Sequence, residues 1–293
     1  MMHIRIISPS GAIDPIYIDQ ASERLRAWGF EVSEGAFARN RWGRFAGTDE
    51  ERLQDLIDAC EDKTVDFILC SRGGYGLQRI IDRVPVLTKP VIGFSDITAL
   101  HQQAAMHGCP SLHAIMCKHI ATLPEDSEPI QALRRLLAGE GIAYRWAHHP
   151  LNNPGKACAP IVGGNLSVLY GLQGTKFGLT QPTIRDQFPI LLIEDISERH
   201  YHIDRMMRNL RMSGVLAHLS GLVVGQFSDC EDDPQMQQTV YETIKEAVAD
   251  YNYPILFNAP FGHVEHNLPL WFDRHATIDC GTESVLRLNG FQV

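Results

Sequence analysis

Apolar positions along the chain fall into short runs separated by amphipathic stretches. Ile4–Ile7 is a β-branched run closed by Pro9 and Gly11, and Asp19–Trp28 carries apolar residues at helical spacing until Gly29. Phe30-Glu31-Val32 follows that stop. Thr48-Asp49-Glu50-Glu51 fits a capping box, in which hydroxyl and carboxylate satisfy opposite orphan amides. Leu53, Leu56, Ile57 and Cys60 share one face of the helix it opens. Val65–Cys70 predicts a strand, followed by a glycine turn and a helical start at Leu77–Ile81. Val91–Phe94 predicts another strand and Asp96–Met106 another helix. Near-continuous apolar strands alternating with helices predict a parallel sheet covered on both faces.

From about Thr122 to Ala159 the alternation lapses. Pro124, Pro129, Pro150, Asn152, Asn153, Pro154 and Gly155 crowd this stretch, with one helical segment near Ile130–Leu137, and it reads as an inter-domain connection. The pattern restarts at Pro160-Ile161-Val162-Gly163-Gly164-Asn165. A strand at Ile190–Ile193, a helix at Ile203–Met212, a strand at Leu222–Phe227 and a helix near Met236–Val248 follow. Ile255–Phe257 is strand-like, and the tail Thr277–Gln292 is strand-rich. The expected fold is α/β in two domains. Residues 1–121 form a flavodoxin- or Rossmann-like parallel-sheet domain, 122–159 a connection, and 160–293 an α/β domain with a strand-rich tail.

Composition narrows the function classes. The 293 residues suit two domains, and 26 basic against 35 acidic residues give a net charge of −9, which argues against nucleic-acid or anionic-membrane partners. No apolar run reaches the roughly 18 residues of a membrane span, and the start lacks the apolar core of an export signal, so a cytoplasmic location is expected. The seven cysteines form no C-x-x-C pair and read as reduced thiols. Cys70, at the end of an apolar strand, is either a small core residue or a nucleophile.

Ser95, in Gly93-Phe94-Ser95-Asp96, sits between a buried strand and a helix. Such a turn exposes a hydroxyl, and the next amide can stabilise an oxyanion; alternatively, Ser95 or Asp96 caps the helix. Ser71-Arg72-Gly73-Gly74-Tyr75-Gly76 lacks the order of a phosphate or dinucleotide loop. It is either a tight turn or an anion cradle, and Arg72 is either a carboxylate partner or a surface residue. Glu194 and Asp195 end an apolar run, where acids orient a histidine, bind a metal or merely occupy a loop. His263 and His266 flank Glu265, but the spacing is not that of helical H-E-x-x-H, so no metal is expected. His200 and His202 lie in a charged loop. Ser95, Glu194 and His263 each follow an apolar strand, an order permitted for a nucleophile–acid–base set.

Together these segments resemble the LD-carboxypeptidase family of serine peptidases, the muramoyltetrapeptide carboxypeptidases. The resemblance runs through Ser8–Gly11, Phe45–Arg52, Ser71–Gly76, Gly93–Thr98, Gly163–Leu166, Ile193–Glu198, Ile203–Met206 and Gly262-His263. It implies Ser95 as nucleophile, Glu194 as acid and His263 as base, with the amides of Gly74 and Asp96 as oxyanion donors. Arg72, Gly73, Tyr75 and Glu198 are the expected substrate-binding residues. Two departures stand out. Ser197-Glu198 replaces the family's Gly-Glu, which invites confusion of Glu198 with Glu194, and Glu265 and His266 add charge beside His263. The resemblance implies two α/β domains with the site in the groove between them. It further implies a murein tetrapeptide substrate losing D-alanine, no cofactor, no nucleic-acid or membrane partner, and a homodimer. The alternatives are a microcin C immunity-type peptidase acting on an acyl-sulfamoyl adenylate, with Trp42 or Trp271 stacking the adenine, and a non-catalytic ligand-binding α/β protein.

Overall fold

The computed structural model describes residues 1–179 and 187–290. The last residues of the strand-rich tail, 291–293, lie outside the described residues. The chain divides into two compact units, one formed by 1–139 with 268–271 and the other by 140–267 with 272–290.

In the first unit, β1 (His3–Ile7) leads to α1 (Pro15–Ala27), which begins earlier than its apolar spacing suggests. Asp14 caps it by accepting from the Ile16 amide, and Pro15 occupies the first helical position, where no amide is needed. β2 (Glu31–Glu34) and α2 (Asp49–Glu61) follow, and both bonds of the Thr48–Glu51 capping box form. The buried face of α2 is not purely apolar: Arg52 and Asp55 join Leu56 and Ala59. Both charges have partners, since Arg52 donates to the Pro9 carbonyl and Asp55 accepts from the Phe37 amide. β3 (Phe67–Cys70) runs into the glycine turn. The helical start expected at Leu77 is two 3-10 turns, Leu77–Arg79 and Ile81–Arg83. β4 (Val91–Gly93), α3 (Thr98–Met106), β5 (Ser111–His113), α4 (Cys117–Thr122) and α5 (Glu128–Leu137) complete this stretch. The strands are parallel in the order 2-1-3-4-5, the flavodoxin-like doubly wound arrangement.

The second unit opens with β6 (Ile142–Ala147) and β7 (Gly155–Asn165), so much of the stretch read as a connection is regular structure. β6 escapes an apolar pattern because most of its residues are half-buried or exposed, with only Tyr144 buried. Then come α6 (Leu166–Leu172), β8 (Ile190–Ile196), α7 (His200–Met212), β9 (Gly221–Ser228), α8 (Val240–Ala247) and β10 (Ile255–Leu256). β11 (Leu270–Phe272) leaves this unit and pairs with β5 of the first. β12 (His275–Cys280) and β13 (Glu283–Leu288) form an antiparallel hairpin that continues the second sheet through β7 and back to β6. β7, β8, β9 and β10 are parallel, so their carboxyl ends share one side of that sheet.

Candidate active site

Ser95 follows β4 at φ +68°, a left-handed conformation that costs a non-glycine residue about 1–2 kcal/mol. The backbone turns sharply there, from the strand into a 3-10 turn at Ser95–Ile97 that runs into α3. A left-handed residue at a strand-to-helix turn is the backbone form that a nucleophile elbow requires. Glycines make room for it. A Cβ on Gly73 would lie 2.8 Å from Ser95 Cβ and 3.1 Å from its Oγ, so only glycine lets the Ser71–Gly76 turn pass this close. A Cβ on Gly93 would lie 2.8 Å from the Ile97 side chain.

The turn around Ser95 is tied down by Asp96. Its buried carboxylate accepts from the Ser10 hydroxyl at 2.7 Å and from the Leu77 amide at 3.0 Å, joining three loops. Burial raises this carboxyl above its ordinary value, with those two hydrogen bonds pulling it back. Gly74 has φ +104°, and its amide has no acceptor among the described residues. Arg72 is exposed and donates to the Ala12 carbonyl at 2.7 Å, while Tyr75 packs its half-open ring on Phe45. Cys70 is fully buried, and burial pushes its thiol well above the ordinary range, as befits a core residue.

In the second unit Glu194 is not at the end of its strand. β8 continues to Ile196, and Glu194 sits at an irregularity where β9 carries an extra residue between Val224 and Phe227. Gly225 occupies that bulge, and a Cβ there would meet the Phe261 carbonyl at 2.5 Å. The bulge therefore lets the Phe261–His263 loop lie over β8 and β9, where Gln226 donates to the Phe261 carbonyl at 2.8 Å. Gly262, at φ +126°, brings that loop onto Glu194, whose Oε2 would lie 2.9 Å from an added Cβ.

His263 Nδ1 lies 2.7 Å from Glu194 Oε2. The carboxylate is completely buried, and the imidazole is 15% exposed. A carboxylate can only accept, so Nδ1 carries the proton and Nε2 carries the lone pair. Burial pulls the imidazole down, but the Glu194 hydrogen bond and charge, with Asp195 adding to them, leave it net raised above its ordinary value. Ser228 donates to the His263 carbonyl at 2.9 Å, fixing the loop from the other side. Asp195 points away to a separate task. It accepts from Asn165, from the Ser167 amide at the start of α6, and from Ile196. Burial, then the Glu194 charge, pushes it up to about 7.

Glu198 does not contact His263. It lies beyond Ser197, whose φ is +58°, and pairs with His202 Nδ1 at 3.0 Å. His200 and His202 belong to α7 rather than to a loop, and His200 is buried against Thr243 at 2.7 Å. Among the described residues no group of three His, Cys, Asp or Glu side chains is placed to hold a metal, and no helix is long and apolar enough to cross a membrane. Trp271 is buried in β11 and offers no stacking face, whereas Trp42 is 54% exposed. Sequence reasoning did not single out Gly225 or Asn165 for the roles they have here; only the register of three strands identifies them.

Residues 4–114 match the LD-carboxypeptidase N-terminal domain and residues 159–278 the LD-carboxypeptidase C-terminal domain. The Synechocystis sp. protein slr1534 is 36% identical, over 97% of this chain and 94% of its own. The murein tetrapeptide carboxypeptidase of Pseudomonas aeruginosa is 27% identical over 94% of this chain and 92% of its own. In structure, the chain resembles a muramoyltetrapeptide carboxypeptidase from Oxalobacter formigenes (TM-score 0.88, 24% identity, 100% of both chains). It also resembles the microcin C7 self immunity protein, solved with aspartyl sulfamoyl adenosine, at TM-score 0.84 and 19% identity over 100% of this chain and 97% of the other.

Proposed function

Because the chain belongs to the LD-carboxypeptidase family of serine peptidases, we propose that it removes a C-terminal D-amino acid from a murein tetrapeptide in the cytoplasm, through a Ser95–His263–Glu194 acyl-transfer mechanism. The observation that carries this reading is the buried Glu194 carboxylate on His263 Nδ1. That bond holds the tautomer a general base needs, and its charge favours the imidazolium formed when a hydroxyl loses its proton.

In the proposed sequence the Ser95 oxygen attacks the carbonyl carbon of the L,D-amide while His263 Nε2 accepts the hydroxyl proton. The Gly74 and Asp96 amides receive the developing oxyanion. Return of the proton to the amine expels the D-amino acid and leaves an ester on Ser95. Water, deprotonated by the same imidazole, hydrolyses that ester. Arg72, Gly73, Tyr75 and Glu198 are proposed to line the substrate, Tyr75 on the strength of its half-open ring beside the glycine turn.

The test is release of D-alanine from a murein tetrapeptide by the wild type and by Ser95→Ala. The variant is expected to lose roughly 10⁶ in kcat with its fold intact, the size of loss known for a serine nucleophile. Comparable activity in both would refute the mechanism. The fold likeness to the microcin immunity protein supports a second reading, hydrolysis of an acyl-sulfamoyl adenylate by the same residues. Preferential turnover of that compound over the tetrapeptide would favour it.

A further inference from the structure

Residues 37–46 contain Arg39, Arg41 and Arg44 and no acid, a local excess of positive charge in a chain of net charge −9. Arg39 is neutralised by Asp19 and Glu34. Arg41 and Arg44 are exposed and have no carboxylate partner among the described residues. Between them Trp42 stacks on Phe45, with ring centroids 6.0 Å apart and planes 26° apart, and Phe45 in turn meets Tyr75 at 6.0 Å.

This row of rings is rigid. Trp42 and Phe45 exchange backbone hydrogen bonds of 2.9 and 3.1 Å around Gly43, and the Arg52 and Arg79 guanidiniums lie 5.2 and 5.4 Å from the Phe45 ring. The Arg44 carbonyl accepts from Ala12 at 3.0 Å, and the Gly73 carbonyl, beside Ser95, accepts from Gly11 at 3.0 Å. Trp42 thus presents an open indole face on a loop sewn to the glycine turn of the site. A fixed, half-open tryptophan between two uncompensated guanidiniums suits a flat ring with an anionic group beside it.

We propose that the Arg41–Phe45 loop is a subsite for the part of the substrate remote from the scissile bond, with a pyranose on Trp42 and a carboxylate on Arg41 and Arg44, as in a muramoyl peptide. The sugar would lay its C–H face on the negative face of the indole, and the carboxylate would take charge-assisted bonds from the guanidiniums. The proposal rests on the murein reading above, but its binding step can be tested without turnover.

The probe is N-acetylmuramoyl-L-alanyl-D-isoglutamate with a free carboxylate, titrated calorimetrically into the Ser95→Ala protein and its variants, with the Trp42 indole N–H resonance of the parent locating the contact. Adding Trp42→Ala should raise Kd about tenfold, with Trp42→Tyr restoring much of the loss. Arg41→Gln with Arg44→Gln should weaken binding about threefold and remove most of its salt dependence. In turnover, Trp42→Ala should lower the preference for a muramoyl tetrapeptide over a short L,D-peptide about tenfold. Failure of the probe to bind, an unchanged preference, or tighter binding of adenosine monophosphate at Trp42 would overturn the proposal. Saturable probe binding through Trp42 in a protein that cleaves neither peptide would sustain the subsite while refuting the murein reading.

Discussion

Glu194 and Glu198 lie four residues apart and keep different company, His263 for one and His202 for the other. Glu194→Gln leaves a group that can donate to Nδ1 and so hold the wrong tautomer; kcat should fall about 10⁴-fold, as for the equivalent acid in chymotrypsin-type enzymes. Glu198→Gln should leave kcat within an order of magnitude and act on KM. Steady-state kinetics of the two variants check this, and the reverse pattern would move the acid to Glu198. The acidity of His263 gives a second prediction. Glu194 raises the imidazole above its ordinary 6.5, and a base works only unprotonated. The acid limb of kcat/KM should therefore rise with pH through a midpoint above 6.5. In Glu194→Gln burial would be opposed only by the Asp195 charge, so the imidazole should titrate lower than in the wild type, which NMR can follow. At this scale Ser95, Glu194 and His263 could be picked out as candidates because each follows an apolar run, and the Glu194–His263 hydrogen bond is the pairing the structure adds. Their surroundings were not legible: the Asp96 clamp joins Ser10 and Leu77 across long separations, and no spacing within the chain encodes it.

Between elements, the close approaches depend on glycine. In Gly73→Ala the new methyl would collide with Ser95 and with the Phe94 carbonyl, 3.1 Å away, neither of which is a flexible side-chain tip. The expected result is a stability loss of about 1–3 kcal/mol and a larger fall in kcat, because the elbow must move. Thermal melting and a turnover assay separate the two effects; a fully active, fully stable variant would contradict the packing. Element positions were mostly legible, since β1, β3, β4 and β9 are apolar runs and the α2 cap has its own signature. Three departures have physical causes. Buried Arg52 and Asp55 are polar but paired, so the α2 core face is wider than its apolar spacing. β8 outlasts its hydrophobic residues because Glu194 and Asp195 are buried and hydrogen-bonded within it. β6 is largely open on its outer side and carries little pattern.

Across the molecule, burial raises several acids at once. Asp55 is pushed up to about 6 and Asp195 to about 7, and Asp96 is also raised. A carboxyl whose folded value exceeds its unfolded one binds more protons when folded. Its contribution is complete below the unfolded value of 3.8 and is lost as pH rises through the folded value. His263, also raised, acts with the same sign at higher pH. His101, whose burial lowers it to about 4, acts with the opposite sign between that value and 6.5. The Asp195 contribution itself should be lost as pH rises from about 4 to about 7, so Asp195→Asn should lose more stability relative to the wild type at pH 4 than at pH 7. Denaturant melts of both proteins at a series of pH values test it; a difference between them that does not change with pH would contradict it. The α/β class was legible in the alternation of elements. The contribution of 268–271 to the first unit was not, because three apolar residues look alike in either unit.

That short excursion governs how the gene can be cut and recombined. A fragment ending at Gly139 would lack β11 and leave β5 as a bare edge, with unpaired amides and carbonyls open to another copy. The complementary fragment would carry the buried trio Leu270, Trp271 and Phe272 with nothing to pair against. A single crossover between relatives would therefore join a sheet to another protein's edge strand. Inheritance of the halves as interchangeable cassettes is blocked by three residues, and their fit to β5 binds the two halves into one unit of selection.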